Sequence, residues 1–96
     1  MRIRWEEEAL SDLIELRNFI TQENPAAAQV VAKKIIEKTN LLSHQPFMGG
    51  AGRIFGTREL VITSTPYTVT YHPTAELITI LHVFHQTKKW PRRQQE

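Results

Sequence analysis

The sequence contains no cysteine and no long apolar run. Without cysteine the chain can form no disulfide, no thiolate metal site and no cysteine nucleophile. No apolar stretch approaches the roughly 20 residues of a membrane-spanning helix. Residues 1–5 also lack the apolar core of a signal peptide. We therefore expect a soluble, cytoplasmic protein, because disulfides are rare in reducing compartments.

The chain is too short for a second domain, since 96 residues fit one compact domain. We predict a single domain over residues 1–96, with a basic C-terminal tail at about residues 86–96. Acidic residues cluster near the start and basic residues near the end: Glu6, Glu7, Glu8, Asp12 and Glu15 against Lys88, Lys89, Arg92 and Arg93. This asymmetry favours a polyanionic or acidic partner for one face, although a solvated tail accounts for it equally well.

The histidines and glycines do not form a familiar ligand-binding motif. His82 and His85 are three residues apart on a predicted strand, so they point to opposite faces and cannot share an ion. His44 and His72 fall in predicted loops without a carboxylate cluster beside them. The glycines within residues 49–52 precede a predicted strand rather than a helix, unlike a phosphate-binding loop. We expect neither a metal nor a cofactor.

The first half of the chain predicts a short strand and two helices. Residues 2–5 alternate between polar and apolar, as in a strand with one buried face. Asn24 and Pro25 then suit the cap and first position of a second helix. The first helical stripe comprises Ala9, Leu13, Leu16 and Ile20, widened by Leu10, Ile14 and Phe19. The second comprises Ala28, Val31, Ala32, Ile35, Thr39 and Leu42. Its alanines predict close packing of the two helices as a hairpin.

The second half changes to the period of strands after Pro46. Residues 59–62 and 67–71 are rich in β-formers, and residues 77–84 are apolar enough on both faces for a central strand. Residues 72–75 predict a hairpin turn. The sequence therefore predicts an α+β fold: a β-strand, a helical hairpin, then a three-stranded antiparallel meander, with the helices packed on one face of the sheet.

Three stretches of the chain also carry a family resemblance. They are Trp5 with Ala9, Asp12-Leu13 and Phe19-Ile20; the strands GTRELV (56–61) and PYTVTY (66–71); and ITILHVFH (78–85) followed by Trp90-Pro91. In this order they resemble the ParE/RelE superfamily, the toxins of bacterial type II toxin–antitoxin systems. The resemblance covers nearly the whole chain and implies the RelE/ParE-like fold.

The resemblance implies two alternative mechanisms and a set of partners. RelE-like members are ribosome-dependent endonucleases that cut mRNA, whereas ParE-like members poison DNA gyrase and need no catalytic residues. Both are held inactive by a cognate antitoxin, whose disordered segment folds around the toxin. The complex commonly represses its own operon, so operator DNA would be contacted only through the antitoxin complex.

The middle strands favour the ParE-like mechanism. Cleavage of RNA through its 2′-hydroxyl needs a base, an acid and cations for the developing phosphate charge. Glu59, Val61 and Thr68 occupy the positions where RelE-type enzymes carry basic residues, and none of the three is a cation. The alternative endonuclease would use Arg58 on the phosphate and His85 as acid or base. A third possibility is a non-toxic member that only binds its antitoxin as a co-repressor.

Basic residues supply the candidate contacts to the target or to nucleic acid. They are Arg53, Arg58, Lys88, Lys89, Arg92 and Arg93, and the aromatic Trp90 is a further candidate for the same contacts. Structural roles compete with these assignments: Arg58 could pair with a carboxylate, Trp90 could pack the tail on the sheet, and Tyr71 shares a face with the apolar Val69. We expect the antitoxin to cover apolar surface by helix-in-groove and strand-addition modes.

Overall fold

The computed structural model describes residues 1–87, which form two helices and a five-stranded sheet. Its elements are β1 Arg2–Trp5, α1 Glu7–Thr21, α2 Pro25–Asn40, a 3-10 turn Leu41–Ser43, β2 Gly50–Ala51, β3 Arg58–Val61, β4 Tyr67–Pro73 and β5 Leu77–His85. The strand order is β1-β5-β4-β3-β2, with β1 parallel to β5 and the other neighbours antiparallel. The predicted α+β fold with a packed helical hairpin is confirmed.

The connection between the helices follows the predicted capping chemistry. The Asn24 side chain accepts a hydrogen bond from the Ala27 amide at 3.1 Å, and Pro25 is the first residue of α2. Asn satisfies an amide that has no partner within the helix, and Pro lacks the amide that would otherwise be unpaired there. Such a cap contributes about 1 kcal/mol. The start of α2 is therefore determined locally.

The two helices differ in how well their apolar stripes predict the core. In α2 the predicted stripe is buried, apart from the half-buried Val31. In α1 the buried residues are Ala9, Asp12 and Leu16, whereas Leu10, Ile14 and Phe19 are exposed. The prediction that these three widen the α1 stripe is wrong, because α1 contacts the sheet and α2 through one narrow face centred on Asp12.

The sheet contains a strand and a bulge that the sequence did not predict. Residues Gly50–Ala51 pair with β3 as β2, where we expected only a break in regular structure. The register between β4 and β5 shifts between Thr70, opposite His82, and Tyr71, opposite Ile80, so Leu81 is an extra residue on β5. The predicted turn at 72–75 begins too early, since β4 continues through Pro73.

Candidate functional site

The junction of α1 with β5 places a carboxylate against the sheet. Pairing of β1 with β5 ends at Ile80, whose carbonyl oxygen accepts from the Glu6 amide at 3.0 Å. Beyond this point α1 lies beside β5, and the Asp12 carboxylate accepts from the Val83 amide at 2.9 Å. Asp12 is fully buried. A side chain thus replaces the strand partner that β1 does not provide, since a buried amide left unpaired is costly.

His82 lies beside the same carboxylate. Its Nδ1 is 3.7 Å from Asp12 Oδ2 and 3.5 Å from Glu8 Oε1, so two acidic residues of α1 face one imidazole. His82 is opposite Thr70 and His85 is opposite Tyr67 in the sheet register. The two histidines therefore lie on opposite faces of the sheet. The Asp12–His82 contact joins α1 to β5 and serves the fold.

Arg58 begins β3 on the face that packs against the helices. It is opposite the buried Tyr71, and it shares its face with the core residue Leu60. Its guanidinium carbon lies 5.1 Å from the centre of the Phe47 ring, within the range of a cation–π contact. Arg58 therefore has an apolar partner inside the molecule.

Arg53 lies on the opposite face, in the loop between β2 and β3. Its Nε is 3.4 Å from Glu59 Oε2, and its guanidinium carbon lies 5.3 Å from the centre of the Phe84 ring. Glu59 alternates with Arg58 along β3, so the two arginines are separated by the sheet. The fold does not bring these two predicted binding residues together.

His85 ends β5 next to a buried phenol. The His85 and Tyr67 rings meet edge to face, with centres 5.3 Å apart. The His85 Nδ1 accepts from the Thr87 amide at 3.2 Å, which places the proton of the neutral ring on Nε2. Burial raises the pKa of the Tyr67 phenol above its ordinary 10.0, so Tyr67 is uncharged at neutral pH. In this tautomer the neutral His85 ring can donate a hydrogen bond from Nε2, and the uncharged Tyr67 phenol does not provide a phenolate base.

The two residues predicted for RNA cleavage are on the two strands that flank β4, and they pair with different positions of β4. Arg58 is opposite Tyr71 and His85 is opposite Tyr67. Those positions are four residue steps apart along β4, which is roughly 13 Å. A cation and an acid for one scissile phosphate need to converge within hydrogen-bonding reach of it. The sheet register holds the backbones of Arg58 and His85 apart.

Residues 59, 61 and 68, the positions to which the resemblance directs attention in the middle strands, carry no cation. Val61 is opposite Thr68, and Glu59 is opposite Thr70. Glu59 is already engaged by Arg53. Gln86 donates to the Thr68 hydroxyl at 3.1 Å. The side chains at these positions therefore offer hydroxyl groups, an apolar surface and one carboxylate, that of Glu59, which is paired with Arg53.

Sequence reasoning missed the most exposed apolar residues of the described chain. Ile54 and Phe55 lie at the tip of the loop between β2 and β3. Ile54 is 69% exposed and Phe55 is 101% exposed. The available signal was an adjacent apolar pair between Gly52, which we considered only as part of a glycine run before a strand, and Gly56, which we assigned to the strand itself. Tyr71, by contrast, is core as its face predicted, with no exposed surface.

The basic tail predicted at residues 86–96 falls almost wholly beyond the part of the chain that the structure describes. Lys88, Lys89, Trp90, Arg92 and Arg93 therefore lie outside the described residues. Within residues 1–87, no group of three or more histidine and acidic side chains is arranged to hold a metal ion. In the same range, neither helix has the length and apolar character needed to cross a membrane.

Comparisons with known proteins agree with the resemblance. Residues 3–90 match the family model described as the ParE toxin of the type II toxin–antitoxin system parDE. The chain is 37% identical over 91 residues to a Sinorhizobium fredii protein that bears the name toxin Y4kP, covering 95% of this chain and 94% of that protein. It is 30% identical over 87 residues to toxin RelE2 of Caulobacter vibrioides, and the match covers 91% of this chain and 97% of that protein.

A solved structure shares the same architecture. It is the chromosomal ParDE TA system from P. aeruginosa, which superposes with a TM-score of 0.81 at 20% identity, covering 88% of this chain and 95% of that one. The likeness supports the arrangement of two helices on a five-stranded sheet. From the family match and the curated relatives, the chain belongs to the ParE toxin family. It is the toxin component of a type II toxin–antitoxin system, and its partner is an antitoxin.

Proposed function

We propose that this toxin inhibits DNA gyrase by protein–protein contact, without catalysing a reaction of its own. The observation that carries the proposal is the separation of Arg58 from His85 at opposite ends of β4. An inhibitor that acts by contact needs no convergence of acid, base and cation. Gyrase acts on DNA in the cytoplasm, so the proposal places the toxin there.

The second candidate is ribosome-dependent cleavage of mRNA. Its support is His85, which is half-buried at a strand end, because a histidine can serve as acid when protonated or as base when neutral. Because the name of the Caulobacter relative is RelE2, this activity is the natural comparison. At this register Arg58 does not supply a cation beside His85.

The antitoxin would cover the outer surface of the helical hairpin. Exposed apolar side chains there are Leu10, Ile14 and Phe19 on α1 with Val30 and Ile36 on α2. An amphipathic segment that folds on binding can bury such side chains in a helix-in-groove manner. We further propose that the toxin–antitoxin complex represses its operon and that the toxin meets operator DNA only through this complex.

The deciding experiment is induction of the chain without antitoxin, followed by pulse-labelling of DNA and protein synthesis. The proposal predicts that DNA synthesis falls first and that purified toxin blocks supercoiling by purified gyrase. His85→Ala should leave both effects unchanged, because a contact inhibitor has no need of a proton donor. If protein synthesis stops first and His85→Ala or Arg58→Ala restores growth, the endonuclease replaces the gyrase inhibitor.

A further inference from the structure

We propose that the loop of residues 52–57 is a preformed anchor that inserts Ile54 and Phe55 into an apolar pocket of the toxin's target protein. The assignment of gyrase as that protein rests on the function proposed above, whereas the assignment of the loop as the target contact does not. Ile54 and Phe55 lie at the β2 edge of the sheet, away from α1, which packs beside β5.

The loop is held rigidly by its own hydrogen bonds. The Gly52 amide donates to the Thr57 carbonyl oxygen at 2.9 Å, and the Ile54 carbonyl oxygen accepts from both the amide and the hydroxyl of Thr57, at 3.0 and 2.6 Å. His72 donates from Nδ1 to the Gly56 carbonyl oxygen at 2.7 Å, which ties the loop to β4. The loop conformation is therefore set before any partner arrives.

Two glycines make this conformation possible. A Cβ at Gly52 would lie 2.8 Å from the carbonyl carbon of Thr57, so only glycine fits there without a shift. Gly56 has a φ of +88°, in the region that glycine adopts most readily. Both glycines serve the shape of a loop whose apolar side chains contribute little to the core. Packing within residues 1–87 does not account for Ile54 and Phe55.

An exposed aromatic side chain on a hydrogen-bonded loop has the properties of an interface anchor. Binding hot spots are aromatic or large apolar residues that enter a pocket, and rigid presentation reduces the entropy lost on binding. A phenyl ring buries roughly 150–250 Å² when it is enclosed. The area is that of one pocket within a larger interface, and the loop lies at the edge of the sheet away from α1, where we place the antitoxin.

The charges around the loop favour a protein over a nucleic acid. Nucleic-acid surfaces are recognised chiefly through cations that contact phosphates. The cation of this loop, Arg53, is engaged by Glu59 at 3.4 Å and lies over Phe84. The tip of the loop therefore presents the apolar side chains of Ile54 and Phe55 beside the Arg53–Glu59 ion pair, whose two charges offset each other. Such a surface is complementary to an apolar pocket.

The test compares two double variants of the full chain, induced in bacteria without antitoxin. Ile54→Ser/Phe55→Ser removes the anchor, and Leu41→Ser/Val61→Ser removes two exposed apolar side chains that lie outside both the loop and the proposed antitoxin surface. We expect the loop variant to lose growth arrest and to need at least about tenfold more toxin for half-inhibition of purified gyrase. The control variant should retain both effects. The antitoxin affinity of the loop variant, measured by calorimetry, should stay within about twofold.

The remaining outcomes separate the loop from the identity of the target. If the unsubstituted toxin arrests growth without affecting gyrase, and the loop variant loses the arrest, the gyrase proposal fails and the loop assignment stands. Growth arrest by the loop variant equal to that of the unsubstituted toxin would overturn the loop assignment. So would loss of antitoxin binding with toxicity intact, or equal loss of toxicity in both variants. Circular dichroism checks that both variants are folded.

Discussion

At the scale of single residues, Asp12 shows how a polar side chain can replace a strand. It occupies the centre of the buried face of α1 and accepts from the Val83 amide at 2.9 Å. The sequence offers no local signal for this contact, because Asp12 and Val83 are 71 positions apart. Hydropathy patterns assign an acidic residue to the exposed face of a helix, and here the non-local hydrogen bond outweighs that tendency.

Asp12→Ala should lower the free energy of unfolding by about 1–3 kcal/mol, because it leaves a buried amide without an acceptor. Urea denaturation of the purified chain measures the change. Asp12→Asn is the matched control: its amide oxygen still accepts from Val83, so we expect a smaller loss. Equal losses in both variants would instead locate the contribution in the negative charge beside His82, which lies 3.7 Å away.

At the scale of elements, some helices and strands are determined by their own local sequence, whereas others form only because a neighbouring strand pairs with them. The α2 start follows from Asn24 and Pro25, and strands β3 to β5 follow from the alternation and β-propensity of residues 58–85. β2 has two residues, Gly50 and Ala51, and exists because the glycine at position 49 allows the backbone to approach Glu59 closely. The bulge at Leu81 likewise depends on pairing with β4.

Gly52→Ala should destabilise the loop between β2 and β3, because the added Cβ would press on the backbone of Thr57. We expect a loss of about 1–3 kcal/mol in the free energy of unfolding, as for other overpacked sites. Gly50→Ala is the control, since a Cβ there meets nothing within 4 Å. Its effect should stay within about 0.5 kcal/mol. Thermal denaturation of both variants tests the pair, and equal losses would contradict the steric argument.

At the scale of the whole molecule, the described chain separates two apolar surfaces. One is the outer side of the helical hairpin, around Leu10 and Ile14, and the other is the tip of the 52–57 loop at the opposite edge of the sheet. A toxin of this family has to meet both an antitoxin and a target. Two separated surfaces allow the two recognition events to be altered independently by mutation.

The basic end of the chain supplies the remaining prediction at this scale. Charge reversal by Lys88→Glu/Lys89→Glu should raise the toxin concentration for half-inhibition of gyrase at least about tenfold, since like charges would oppose an acidic or DNA-bearing target surface. The matched control is Lys33→Glu/Lys34→Glu on the exposed side of α2. Supercoiling assays at two salt concentrations measure both variants. Unchanged inhibition by the tail variant would remove these lysines from the target contact.

The sequence by itself determined the class of fold, the order of the main elements, the α2 cap and the family. These depend on local periodicity, on capping residues and on a motif order that spans the chain. Only the tertiary structure decided that Arg53 and Arg58 lie on opposite faces, each with a partner, and that Arg58 and His85 lie at opposite ends of β4. Strand register and loop closure are long-range properties, so residues close in sequence can be separated by a sheet and residues far apart can share a hydrogen bond.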